Sequence, residues 1–194
     1  LPSMSDLFSG NKINLENEIE LLSSYSILSE VVKKENLNTS FFSFGTITKR
    51  RLAYFPFEFE QLISNDSIKN LEFDIYFNDD GIEIIDINND TTYLFNTYTT
   101  DTISHDLPFN IRWDKKNALT ASDSEGYKVI LSTTKNTVSK LKEDLKLSIV
   151  GTDSEIILLE MKNTNIRYSE IVLNAIIDVF NQDGVSDRQM IHKR

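Results

Sequence analysis

Asn165-Ile-Arg-Tyr-Ser-Glu-Ile-Val-Leu-Asn-Ala-Ile-Ile-Asp-Val-Phe180 runs on into Asn181-Gln-Asp-Gly-Val-Ser-Asp-Arg-Gln-Met-Ile-His-Lys-Arg194. The first half reads as a strongly amphipathic helix. Val172, Ile176, Val179 and Phe180 fall at i, i+4, i+7 and i+8, which makes one apolar stripe. Asn165 is placed to cap it, because its side-chain oxygen can accept from an early backbone N–H. Leu173 and Ile177 widen the apolar face, which predicts packing against a sheet. Past Phe180 the apolar density falls, yet nothing stops the helix firmly. Gly184 weakens it by about 1 kcal/mol relative to alanine, and no proline follows. A helix over Ile166 to Arg194 would be about 43 Å long at 1.5 Å per residue. Its outer half, residues 181–194, is expected to project beyond the domain that packs its inner half. Such a projection suits a connector, or a helix that waits for neighbours.

The 194 residues fit a single domain, expected to span 1–194 with a loose segment at 1–12 and a β-rich middle at 39–133. Forty per cent hydrophobic content is ample for a packed core. A net charge of −10 argues against a phosphate backbone as ligand, which needs clustered Lys and Arg, so no nucleic acid is expected. No apolar run reaches the eighteen or so residues of a membrane helix, and no signal peptide is visible. The chain begins at Leu1 and not at Met, as an excised or processed piece would, with any membrane segments left outside it. With no Cys in the sequence there are no disulfides, no thiolate catalysis and no Cys-ligated zinc.

Taken in order, Asn14 is expected to cap a second amphipathic helix over Leu15 to about Glu35. Leu15, Ile19, Leu22, Tyr25, Leu28 and Val32 share one face. Glu16, Glu18 and Glu20 near its start and Lys33 and Lys34 near its end match the helix dipole. From Thr39 the period changes to two. Strands are expected at Ser40 to Thr48 and at Leu52 to Phe59, where Pro56 marks an edge strand or a bulge. Leu71, Phe73, Ile75 and Phe77 alternate with polar neighbours. Asn78-Asp-Asp-Gly81 and Asn88-Asn-Asp90 then punctuate a three-stranded meander that returns over Ile82 to Ile87 and Thr91 to Thr99. Phe109 to Trp113 and Tyr127 to Leu131 add two strands. Thr134 is expected to cap a short helix that buries Val138, Leu141 and Leu145. Leu145, Leu147 and Ile149 alternate as a strand. Glu155 to Lys162 reads as a further strand, whose Ile156 to Leu159 run suggests burial on both faces. Helices thus flank a β-rich middle, and the second half reads helix–strand–strand–helix, an α+β chain with sheet and helices segregated.

Residues that carry chemistry are few. There is no phosphate-binding glycine loop and no dinucleotide fingerprint. His105 and His192 are the only histidines. The run Ser104-His-Asp106 is adjacent in sequence, whereas a triad is defined by geometry, so His105 reads as a solvated loop residue. His192 suits a helix C-terminus. Thirty acids make some glycosidase-like pair nearly inevitable, which empties that signal. The Asp79-Asp80 and Asn89-Asp90 turns lack the oxygen spacing and distal Glu of a calcium loop and read as turn chemistry. Trp113, Tyr93 and Tyr98 could stack on a sugar, although aromatics that alternate on strands belong to cores more often. No catalytic, cofactor-binding or metal residue is named.

Five stretches in this order resemble one family. Glu18-Ile-Glu-Leu-Leu-Ser-Ser-Tyr-Ser-Ile-Leu28 with Val31, Val32 and Leu37 resembles the first helix of the Wzz-type chain-length determinants, the polysaccharide co-polymerases of bacterial inner membranes. Phe55-Pro-Phe57 resembles their Pro-Phe segment at the entry to the β-rich middle. Val138, Leu141 and Leu145, then Ile156 to Leu159, then Val172-Leu-Asn174 with its long helix, are similar to the family's second half. The likeness covers nearly the whole chain and is greatest to the larger members, which export capsule or exopolysaccharide and continue into a cytoplasmic tyrosine kinase. The family's opening strand is here missing or reduced to Leu1-Pro-Ser3. Both membrane helices, the Pro-rich stretch before the second and any kinase signature are also absent.

The resemblance implies no catalysis and no cofactor. It implies a periplasm-facing domain of a membrane-anchored ring that governs how far a separate polymerase extends capsular polysaccharide, exopolysaccharide or lipopolysaccharide O-antigen. The expected partners are further copies of the chain, the polymerase and export machinery, and the nascent glycan. The helical flanks are expected to associate only where membrane helices raise their local concentration. A second, different expectation is a secreted carbohydrate-binding or carbohydrate-active domain that uses Trp113, Tyr93 and an acid pair.

Overall fold

The computed structural model describes residues 15–45, 49–54, 57–64, 69–78, 81–96, 107–112, 126–151 and 156–191, the last nine by backbone alone. The fold is α+β. Two units divide the chain: one holds 38–134, the other the flanks on either side.

Alternation of apolar and polar residues builds the first unit. Its main sheet has six antiparallel strands in the order β2-β1-β8-β4-β5-β6. These are β1 (Thr39–Phe44), β2 (Lys49–Leu52), β4 (Leu71–Asn78), β5 (Gly81–Asp86), β6 (Thr91–Phe95) and β8 (Gly126–Leu131). The meander of β4, β5 and β6 has the expected order. Its first hairpin closes on the pair Asn78 and Gly81. The second turn is built by Asp86, whose carboxylate accepts from Asn88 N at 2.9 Å, Asn89 N at 3.1 Å and Asn89 Nδ2 at 2.8 Å. A small second sheet pairs β3 (Glu58–Gln61) with β7 (Phe109–Arg112).

One core joins the two sheets. Phe73 and Ile75 of β4, Ile82 and Ile84 of β5, Val129 and Leu131 of β8, and Phe109 and Ile111 of β7 are all buried within it. Their rings interlock: Phe73 meets Phe109 edge-on at 4.9 Å, and Phe41 meets Phe59 edge-on at 5.1 Å. Such pairs add about 0.5–1.5 kcal/mol each beyond the burial of area. The stretch Leu52 to Phe59 is therefore not one strand. Leu52 ends β2, which pairs with β1, whereas Glu58 begins β3, which pairs with β7 in the other sheet. Pro56, which prompted the edge-strand or bulge reading of that stretch, lies outside the described residues.

The flanking unit holds α1 (residues 15–22), α2 (Tyr25–Lys34), α3 (Thr134–Asp144, entered from the sheet unit at its first residue), β9 (Leu145–Ile149), β10 (Ile157–Met161) and α4 (Ile166–Ile191). The single helix expected over Leu15 to Glu35 is broken at Ser23-Ser24. Ser23 Oγ donates back to Ile19 O at 3.0 Å, and Ser24 Oγ accepts from Ile27 N at 3.2 Å as the N-cap of α2. Serine hydroxyls that bond nearby backbone compete with the helix ladder. The break rotates the buried face, so Ile27, Leu28, Val31 and Val32 go inside and Tyr25 is left 53% exposed.

Asn165 caps α4 as expected, its Oδ1 accepting from Tyr168 N at 2.9 Å. Val172, Ile176 and Val179 are buried, with Tyr168 and Ala175 beside them. This seam lies chiefly on α2 and only secondarily on β10, so helix-on-helix packing replaces the expected sheet, and Ile177 is 45% exposed. Lys34 of α2 reaches Asp178 of α4 at 3.1 Å. The pair β9–β10 is also open: Ile156 is 61% and Leu158 43% exposed, so the run is not buried on both faces. Strand pairing satisfies the edges of a strand, whereas its faces are buried only by what packs upon them.

Candidate functional site

Three features stand out on the sheet unit: an ion cluster on the outer face, a cationic edge and a groove on the β3–β7 pair. Lys128 of β8 lies directly across from Asp74 of β4, with Glu72 one diagonal step away. Its Nζ is 2.8 Å from Asp74 Oδ1 and also donates to Glu72. Lys128 is 13% and Asp74 18% exposed by side chain. Burial is the largest single influence on Lys128 and works against its charge. The hydrogen bonds that Lys128 donates to Asp74 and Glu72, with the charges of the two acids, outweigh burial and raise its pKa above the ordinary 10.5. A permanently charged lysine locked between two acids is a poor general base and a poor nucleophile. The cluster is a brace across β8 and β4.

The outer face beside it is aromatic. Phe44 and Tyr76 stand on either side of Gly126. Phe42 sits under two cations of the edge strand, with Lys49 Nζ 4.5 Å and the Arg51 guanidinium carbon 5.7 Å from its ring centre. Arg51 also donates to Ser40 Oγ at 2.8 Å. Lys49, Arg50 and Arg51 are the only three consecutive cations in the sequence. Lys49 and Arg50 are exposed, and neither meets a carboxylate among the described residues. Two residues past the end of β2, Tyr54 is 65% exposed.

A third feature is the groove lined by Glu58, Phe59, Glu60, Asn110 and Arg112 on the β3–β7 pair. Arg112 bridges Glu58 at 3.0 Å, and Asn110 donates to Glu60 at 3.3 Å. Its polar groups satisfy one another across the strand pair, so the groove presents no converging acids.

The sequence matches no protein-family model and no curated protein.

Of the residues raised by the sequence, His105, His192, Trp113, Tyr98, Asp79 and Asp80 lie outside the described residues. Tyr93 is half-buried against the main core, which is the ordinary place for a strand aromatic and not a sugar platform. Asn89 donates to Asp86, and Asp90 takes a left-handed backbone at φ 51°, so this turn is held by its own hydrogen bonds. A carboxylate already filled by three N–H donors offers little to a calcium ion. Among the described residues no three His, Asp or Glu side chains gather as a metal site would require. The cationic edge went unremarked by periodicity. The signal that marks it is a run of like charge inside a chain of opposite net charge.

Proposed function

We propose that this chain is a non-enzymatic, periplasm-facing domain of an inner-membrane polysaccharide co-polymerase. In this reading it assembles with further copies of itself into a membrane-anchored scaffold. The scaffold governs the length and export of capsular polysaccharide, exopolysaccharide or O-antigen made by a separate polymerase.

The observation that carries the reading is the course of α4. Side chains are described along this helix as far as Gln182; Val179 is the last of these that is buried, Asn181 and Gln182 are exposed, and the helical backbone continues to Ile191. Twelve residues of helix gain little stability from their own hydrogen bonds in water, since isolated helices of that length are marginal. Equivalent helices of sister copies would supply stabilising contacts there, as they do in bundles and closed rings. The order of elements supports the same reading: paired helices, a β-rich middle, then helix–strand–strand–helix. The open apolar face of β9–β10, with Val150, Ile156 and Leu158 exposed on one side, is a further surface that an assembly would cover.

The test is genetic and direct. Deleting the gene in its host should shift the length distribution or the amount of surface polysaccharide seen on a gel, and re-expression should restore it. An unchanged ladder and unchanged yield would remove the proposal.

A further inference from the structure

We propose that the β2 edge of the six-stranded sheet binds an anionic polysaccharide, with Lys49 and Arg50 meeting its carboxylates and Tyr54 stacking on a sugar ring. This deepens the reading above by naming a class of glycan, and it rests on that reading only for the expectation that a glycan is at hand.

Three observations converge on the same few residues. The first is position. β2 pairs with β1 alone in its sheet, so its outer side is a sheet edge. Successive side chains point to opposite faces of a strand, so Lys49 and Arg50 flank that edge from its two sides. A polymer that runs along the edge meets both. The second is charge. Lys49 and Arg50 lack carboxylate partners among the described residues. In a chain of net −10, two such cations beside a third form a local reversal of field. The third is the ring. Tyr54 is among the most exposed apolar side chains described, and it follows Arg50 by four residues. A flat ring and a cation together match a sugar that bears a carboxylate: the ring face takes the C–H side of the pyranose, and the cation takes the acid group.

Edge strands are often blunted by charge alone, and that purpose needs no exposed tyrosine beyond the strand. Nucleic acid fits less well. A duplex carries about one charge per 1.7 Å, and the remaining acidic surface would repel it. A uronic acid chain bears at most one carboxylate per sugar and can engage a short cationic edge without approaching the rest. Arg51 is held over Phe42 and against Ser40, which steadies the strand that presents its two neighbours.

Affinity electrophoresis of the purified chain through gels that contain polygalacturonate or neutral dextran tests this. Retardation by polygalacturonate, none by dextran, and a decline with added salt are expected. The double variant Lys49→Gln/Arg50→Gln should weaken retardation at least about tenfold, since each charge-assisted bond contributes on that scale. Tyr54→Ala should weaken it severalfold at any salt. Tyr54→Ala should melt where the parent does, and the double variant should fall short of it by no more than the loss of the Lys49–Phe42 cation–π contact allows. Four results would each overturn the proposal: no retardation by polygalacturonate, equal retardation by dextran, full retention by the double variant, or binding of duplex DNA or phosphatidylglycerol vesicles as tight as that of polygalacturonate. A gene deletion without effect on surface polysaccharide would remove the scaffold reading and leave this binding standing. Absent binding with normal length control would remove this inference alone.

Discussion

Phe44 and Tyr76 meet edge-on, their ring centres 5.6 Å apart at an interplanar angle of 78°, across the strand that carries Gly126 between them. The glycine is what lets the two rings close. A Cβ at residue 126 would lie 2.6 Å from Phe44 Cζ, 2.9 Å from Phe44 Cε2 and 3.1 Å from the carbonyl oxygen of Ile75. Glycine costs a strand some conformational entropy, and here the cross-strand ring pair covers the gap it leaves.

Gly126→Ala should therefore destabilise the sheet unit by about 1–3 kcal/mol, the range for overpacking a well-filled site. The ring must swing away and the backbone of β4 must yield. In a Phe44→Ala background the same change should cost less than half as much, because only the Ile75 carbonyl remains in the way. Urea melts of the four proteins in this double-mutant cycle give the coupling. Equal costs in both backgrounds would show that the ring is not what Gly126 accommodates.

Lys128 makes stability depend on alkaline pH. Its folded pKa stands above the ordinary 10.5, held there by Asp74 and Glu72 against the opposing effect of burial. The charged form is thus favoured by folding. That contribution is complete below the ordinary value and is lost as pH rises through the higher folded one. Urea midpoints that stay level up to about pH 10 and then fall are expected, with the fall attenuated in Lys128→Met. At neutral pH, Lys128→Met leaves two acids facing each other without a cation and should cost about 2–4 kcal/mol. Replacing all three by apolar residues should recover much of that loss.

The meander was legible because Leu71 to Phe77 alternates cleanly and each return is marked by Asn, Asp or Gly. Helix α4 was legible because its stripe repeats with helical period and Asn165 stands at its head. Other features depend on partners far along the chain. Nothing in Leu52 to Phe59 says that its two ends join different sheets, because that depends on pairing with β1 and with β7. The break at Ser23-Ser24 hides because apolar spacing continues almost in phase through it. Ile156 to Leu159 looks like a core strand, but exposure follows from what packs on the faces of the β9–β10 pair, which local sequence does not encode. The cationic edge is a property of sheet order. Lys49-Arg50-Arg51 is visible as a run, but not that it lies at a rim.

The C-terminus of α2 is a Schellman turn with asparagine where glycine is usual. Asn36 adopts φ 51°, its N–H donates to Lys33 O at 3.3 Å, and Leu37 N donates to Val32 O at 2.9 Å. Leu37 is buried behind it. A side chain in the left-handed region carries strain that glycine lacks, so Asn36→Gly should raise the urea midpoint by an amount worth a few tenths to about 1 kcal/mol. Asn36→Val should lower it by more than 1 kcal/mol or so, because β-branching is worst there. Destabilisation by glycine would mean that the asparagine side chain supplies a bond of its own.

At the other end of the flanking unit, Asn165 satisfies an otherwise orphaned N–H of α4, and Asn163 Oδ1 accepts from Asn165 N at 3.0 Å. Asn165→Ala should cost about 1 kcal/mol, whereas Asn165→Asp should preserve or improve the cap through its favourable charge at the positive helix end. If the outer half of α4 depends on sister copies, amide exchange should separate its two halves. Amides around Val172 to Val179, packed on α2, should share the protection of the whole unit, while those from Gln182 to Ile191 should exchange far faster in the free chain. Fusing the chain to a membrane anchor or to a ring-forming carrier raises local concentration without adding contacts of its own. Slow exchange should then spread along the helix to Ile191, and free chain at micromolar concentration should sediment as a monomer. A stable octamer or dodecamer of the free chain would refute the dependence on tethering, and unaltered fast exchange in the tethered form would refute the helix as the point of contact.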